Sequence, residues 1–315
     1  MNENLATNAN LLLYGAMTAY TVAFLAFTLD LAGGAARAQA APARELVAAG
    51  GVVIGRPRTP ASEVRARRQA AGIGVSLTAL GVLLHVASVV LRGVATQRPP
   101  WGNMYEYATA GAAVVPLVFL IALRWRDLRY LGTFVIGPVL LMLGLAVTVL
   151  YTRAGQLVPS LKSVWLAIHV SVAFIASALF TIAFSLTVLY LVQERRERLG
   201  ASRRSFMAAL PGPRELDVAS YRLHAVAFPL WTFTLVAGAI WAENAWGRYW
   251  GWDPKEVWTF VIWVVYAGYL HARATRGWQG RKAAVLALVG YACILFNFLV
   301  VNIFFVGFHS YAGVG

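Results

Sequence analysis

The chain has 315 residues, of which 59% are hydrophobic and 13% charged, against roughly 25% charged in soluble domains. So little polar surface excludes a soluble fold and calls for lipid as solvent. The formal charge of +14 does not imply nucleic acid, because no basic face is interleaved with stacking aromatics.

A spanning helix takes about 20 mostly apolar residues. Runs of that kind fall at 10–32, 71–94, 105–124, 131–151, 164–192, 225–242, 257–272 and 283–307. The N-terminal MNENLATNAN lacks the positive region of a cleaved signal, so the first run reads as a retained span. Asp30 ends it, where a solvated carboxylate is cheap, and reads as structural. The 34–70 stretch, rich in Ala, Arg, Gly and Pro, reads as a cytoplasmic loop. Span two carries His85 at mid-depth, where an ionisable group is costly and needs a reason. Asn103, Tyr105 and Glu106 follow Pro99-Pro100. They read as a turn and helix start, or as lining of a ligand pocket or docking surface. The sixth and seventh runs are short and rich in Trp. Cys293 is the one cysteine, so no disulfide or CxxC relay forms within the chain. The predicted fold is an all-α membrane protein, a polytopic bundle of about eight transmembrane helices forming one integral domain over 1–315.

Eight crossings put both termini on one side. Of the 27 Lys and Arg, 21 fall in 34–70, 124–130, 193–224 and 272–282, the loops after odd-numbered spans. The other six are Arg92, Arg98, Arg153, Lys162, Arg248 and Lys255. Positive charge stays cytoplasmic. Both termini and the 241–258 segment are therefore predicted to face outward.

That segment runs from Trp241 to Trp258 and holds five Trp and Tyr249 within 18 residues. An interfacial belt with a capped helix start would use the same residue types, but not at this density. Gly247 and Gly251 break helix and let backbone or a flat ligand come close. Asp253 before Pro254 is a candidate N-cap. The predicted device is an apolar platform for a large planar ligand such as haem.

Neutral imidazole is a strong axial ligand for haem iron, and topology sorts the five histidines. His169 lies roughly 8 Å into span five from the outer side, and His309 follows span eight on that side. Together with the aromatic platform they allow a bis-histidine pocket. His271 sits at the inner end of span seven, roughly 22 Å along the helix from Glu256, too far to share that iron. His224 is also inner and is placed at the start of span six, in a basic loop where replacement is expected to be tolerated.

Trp246-Gly247-Arg248-Tyr249-Trp250-Gly251-Trp252-Asp253 resembles the WWD signature of haem-handling proteins that assemble c-type cytochromes. Tyr269-Leu270-His271-Ala272-Arg273, Gly307-Phe308-His309-Ser310-Tyr311 and the stretch Pro99 to Glu106 are similar to the CcsA/ResC branch in particular. The resemblance covers 80–315 well and the first two spans weakly. It implies the haem-handling half of a cytochrome c synthase of the System II type, in the plasma membrane of a bacterium. Haem b would be carried across and attached to the CxxCH segment of an apocytochrome, with a CcsB/ResB protein as partner. By motif it implies His169 and His309 as external axial ligands. His271 would be an intramembrane ligand shared with a partner histidine. Trp246, Gly247, Trp250, Trp252 and Asp253 complete the implied haem-binding set. His85 and His224 match no ligand position. Three alternatives stay open: a haem exporter without synthase activity, an electron-transfer subunit, and a transporter gated by the aromatic loop.

Overall fold

The computed structural model describes residues 3–40, 61–153, 163–200 and 206–309. Its helices are α1 (Glu3–Ala40), α2 (Ala61–Thr96), α3 (Met104–Ala122), α4 (Gly132–Thr148), α5 (Val164–Arg198), α6 (Pro213–Trp246), α7 (Pro254–Thr275) and α8 (Arg281–Leu295). A π-helical stretch, Phe296–Val301, and a last turn, Asn302–Phe304, extend α8. No strand occurs among the described residues.

Seven of these helices are long and apolar enough to cross a membrane. The eighth, α7, has 22 residues, which at 1.5 Å each gives about 33 Å. Its Trp258, Trp263, Tyr266 and Tyr269 lower its hydropathy. Even so, it lies antiparallel to α6 along its length. Arg273 pairs with Asp217 at one end (2.7 Å). Trp263 Nε1 donates to Thr232 Oγ1 (2.9 Å) midway, and Trp231 Nε1 to the Thr259 carbonyl beyond it (3.2 Å).

Helix ends follow local chemistry more than hydropathy. Pro213 fixes the backbone at the first turn of α6, so the helix starts well before the predicted 225. Most of the predicted 34–70 loop that is described belongs to α1 and α2, and 41–60 lies outside the described residues. Asp30 is buried, 8% exposed, not solvated as expected.

α5 joins two cores. On one side α1, α3 and α4 pack around Tyr20, Phe27, Phe119 and Leu143. On the other, α6, α7 and α8 pack around Phe180, Trp231, Tyr266 and Tyr291. Outward faces carry bare Leu29, Leu83 and Leu141, as a lipid-facing surface does.

One end gathers the N-terminal part of α1, the starts of α3, α5 and α7, and the C-terminal residues. There Tyr105 donates to Asn10 Oδ1 (3.2 Å) and Asn302 Nδ2 meets Met104 Sδ (3.1 Å). Glu106, fully buried, takes Arg92 Nε (2.9 Å) and Arg98 Nη1 (2.6 Å) and accepts the Gly102 N–H. Asn103 caps α3 by accepting from Glu106 N (2.9 Å). The structural reading of this cluster therefore accounts for Glu106, while Asn103 also reaches the pocket described next.

Candidate functional site

The pocket is built where α3, α5, α6 and α7 converge at that end, closed by the C-terminal residues. His169 and His309 both line it, with Trp101, Tyr107, Trp241, Tyr249, Trp250 and Lys255. A second cavity adjoins it deeper in the bundle, and the two share Tyr107, His169, Ala173, Thr234, Lys255 and Thr259 as walls. Each holds about 160 Å³. Together they just reach the roughly 300 Å³ at which small-molecule sites begin.

Each imidazole is held by its Nδ1. His169 Nδ1 lies 2.8 Å from the Thr234 carbonyl. A carbonyl only accepts, so Nδ1 carries the proton and Nε2 keeps its lone pair. Gly238 makes room for this ring: a Cβ there would sit 2.8 Å from His169 Cε1. Trp241 stacks on the ring with centroids 6.2 Å apart and planes at 14°.

His309 repeats the arrangement with a carboxylate. Its Nδ1 lies 2.9 Å from Asp253 Oδ1, so Nε2 is again left as the ligand atom. Its ring meets Trp241 and Trp246 edge-on at 5.5 and 4.9 Å. Histidines that bind metal are oriented in this way, through the other ring nitrogen, by a carbonyl or carboxylate. Sequence reasoning missed this second layer, since neither Thr234 nor the Asp253–His309 pair leaves a local signal.

Asp253 is the expected N-cap of α7. It accepts from Lys255 N while Glu256 reaches back to Asp253 N, a capping box. Its Oδ2 also takes the Phe308 N–H at 2.6 Å. Burial pushes this carboxyl up, but the His309 hydrogen bond and the two backbone N–H groups hold it, on balance, below its ordinary value of 3.8. A depressed carboxylate stabilises the fold above its unfolded pKa and loses that contribution only as pH falls through the folded one. The brace thus stands throughout the neutral range. Asp253→Ala is expected to cost about 1–2 kcal/mol through the lost cap. It should also weaken ligand binding at His309 by about 10- to 100-fold, read by thermal melting and ligand titration in detergent.

The predicted 241–258 loop is shorter than its composition suggests. Trp241 and Trp246 belong to α6, and Gly247 is its left-handed C-cap with φ +70°. Only 247–253 lies between helices. The room above Gly251 is filled by the Arg248 guanidinium, so a flat ligand does not approach there, whereas the space above Gly247 is open. Trp250 lines the pocket. Trp252 does not. It is 76% exposed and meets Trp250 edge-on at 5.8 Å. Its φ of +58° costs about 1–2 kcal/mol for a bulky residue, a strain of the kind that clusters at functional sites.

The other histidines lie apart. His271 is exposed near the C-terminal end of α7, on the far end of the bundle from the pocket. His224 is not in a basic loop. It is 1% exposed within α6, bonded to the Ser220 carbonyl (2.8 Å) and packed on Tyr266 and Tyr269. Its replacement therefore opens a hole instead of being tolerated. His85 is fully buried, with Nδ1 3.4 Å from the Tyr20 hydroxyl. Ser310 and Tyr311 of the C-terminal motif lie outside the described residues.

Residues 101–309 match the family described as Cytochrome C assembly protein. A cytochrome c biogenesis protein CcsA from Parasynechococcus marenigrum is 35% identical over 263 residues, covering 76% of this chain and 86% of the relative. Its counterpart from Synechococcus elongatus is 33% identical over 285 residues, with 76% and 87% covered. The one from Guillardia theta is 34% identical over 260 residues, with 76% and 85% covered. A solved structure titled Cytochrome c Heme Lyase CcmF superposes with a TM-score of 0.58 at 15% identity. It matches 95% of this chain, which spans 47% of that protein's length, and the likeness is one of fold.

Proposed function

Because the chain belongs to the cytochrome c assembly protein family as a multi-pass, CcsA-type member, we propose that its pocket holds haem b for covalent attachment to apocytochrome c. The observation that carries this reading is the pair His169 and His309. Both line one aromatic cavity, and each has Nδ1 tied back so that Nε2 is the atom offered. Two such imidazoles suit the axial positions of one iron.

The apocytochrome presents a CxxCH segment. Its histidine displaces one of the two imidazoles, and each thiol S–H adds across a haem vinyl group. A C–S bond forms, the hydrogen passes to the neighbouring vinyl carbon, and no oxidant is consumed. The chain's part is orientation and exclusion of water; the bond chemistry belongs to haem and substrate. His271, exposed on α7 at the far end, would receive haem there together with a histidine from a CcsB/ResB partner, in a System II synthase of a bacterial plasma membrane. The purified complex, given haem and a CxxCH peptide under reduction, should form thioethers that survive acid extraction. A preparation with no haem absorbance would overturn the reading.

This route needs the pocket end outside the cytoplasm. The excess of Lys and Arg at the opposite end supports that orientation. A reporter fused after Gly315 should be active outside, and one fused near Arg203 inside. The reverse pattern would place the pocket on the wrong side for periplasmic attachment.

A further inference from the structure

Lys255 has no part in the chemistry above, yet it stands in the wall between the two cavities and is the only cationic residue lining either, among the described residues. Its Nζ donates to the Asn297 carbonyl at 3.0 Å. That carbonyl comes from the π-helical stretch Phe296–Val301, a rare helix form that is frequent at functional sites. An ammonium has three N–H donors, and no carboxylate comes within ion-pair distance of it among the described residues. Asp253, two residues before it, is committed to His309 and to the capping of α7. A cation in an apolar cavity is costly unless it meets an anion. Glu256 also lines the outer cavity, but its Oε2 accepts the Gly251 and Asp253 N–H groups, and it makes no ion pair with Lys255.

We propose that Lys255 receives a carboxylate of the bound tetrapyrrole, fixing the ring's rotation about the axis that His169 and His309 define. The inference rests on the haem reading and deepens it. Axial ligands fix where iron sits but leave the macrocycle free to turn between them. Haem carries its two propionates on one edge and its two vinyl groups on rings away from that edge. Lys255 lies at the deep boundary of the outer cavity, with Trp101, Tyr249 and Trp250 lining the rest of it. A propionate held at Lys255 turns the vinyl edge away from the deep wall, toward the substrate thiols. The same contact makes the pocket selective for a tetrapyrrole with free acid groups.

The test compares binding of haem with binding of haem dimethyl ester, which keeps the iron and the vinyl groups but has no carboxylate. Full-length protein is titrated in detergent with each, following the low-spin bis-histidine spectrum that His309→Ala removes. The wild type should bind haem about 10- to 100-fold more tightly than the ester, the worth of one hydrogen bond between charged groups. Lys255→Met should bind both alike, and Lys255→Arg should recover part of the preference. If the wild type binds haem and ester equally, or Lys255→Met keeps the preference, the proposal is wrong. The wild-type comparison needs no variant, so a folding defect in Lys255→Met would not spare it. A wild type that shows no low-spin spectrum with either compound instead overturns the haem reading beneath it.

Discussion

Replacing His309 with Ala is expected to abolish cytochrome c maturation, and added imidazole to restore part of it. The side chain lies in the short C-terminal segment, 21% exposed, and its polar partner is Asp253. Truncation there removes the edge-on contacts with Trp241 and Trp246, but no helix depends on the ring, and Asp253 keeps its backbone partners at Lys255 and Phe308. The fold should therefore survive while the iron loses one of two axial nitrogens. Loss of a mere second-layer contact costs about 10- to 100-fold in metal affinity, and loss of the ligand itself should exceed that. His169→Ala should give the same loss of maturation with a larger fall in stability. Its ring fills the space between α5 and α6 beside Gly238, and the Thr234 carbonyl would lose its side-chain donor, a cost of about 0.5–1.5 kcal/mol. Imidazole is small enough to enter the vacated space in both variants. Rescue in His309→Ala separates a missing ligand from a misfolded protein. Normal maturation in that variant would sink the axial assignment.

The sequence made the helices legible because membrane spans announce themselves by apolar length, and all eight runs overlap helices. Their ends were less legible. Hydropathy stops at the edge of lipid, whereas α1, α2, α5 and α6 continue on local propensity and, for α6, on the proline at 213. The aromatic segment was readable as a site but not as a shape. Trp241 and Trp246 looked like loop because aromatic density says nothing about the point at which a helix is capped, and Gly247 rather than Trp241 is that point. His169 and His309 were found by sidedness and motif together. His224 was misplaced because its burial comes from Phe180, Tyr266 and Tyr269, which belong to α5 and α7, helices that its own neighbours in sequence do not reveal. Lys255 did leave a signal that was passed over. It is one of only six cations on the side where few fall, and the carboxylate next to it, Glu256, is engaged by backbone N–H groups.

The remaining large effect separates two proposed haem positions by distance. His271 and Lys255 stand 16 positions apart on one helix, about 24 Å at 1.5 Å per residue, so one porphyrin cannot touch both. His271 is exposed on α7, where it offers an imidazole to lipid or to a partner subunit and has no second histidine beside it in this chain. If haem is taken up at that end and passed outward, His271→Ala should deplete haem at both positions in protein purified from cells together with the proposed CcsB/ResB partner. Trp250→Ala should deplete only the outer one. The indole lines the outer pocket, and a large aromatic contributes about 1.5–3 kcal/mol when fully buried, so haem affinity should fall by about tenfold or more. Trp252→Ala is expected to change occupancy far less, because that ring is exposed and outside the pocket wall. Haem content and the bis-histidine absorbance of each variant decide the matter. Should His271→Ala retain a full complement at His169 and His309, the pocket must load directly from its own side of the membrane, and the inner-to-outer route is wrong.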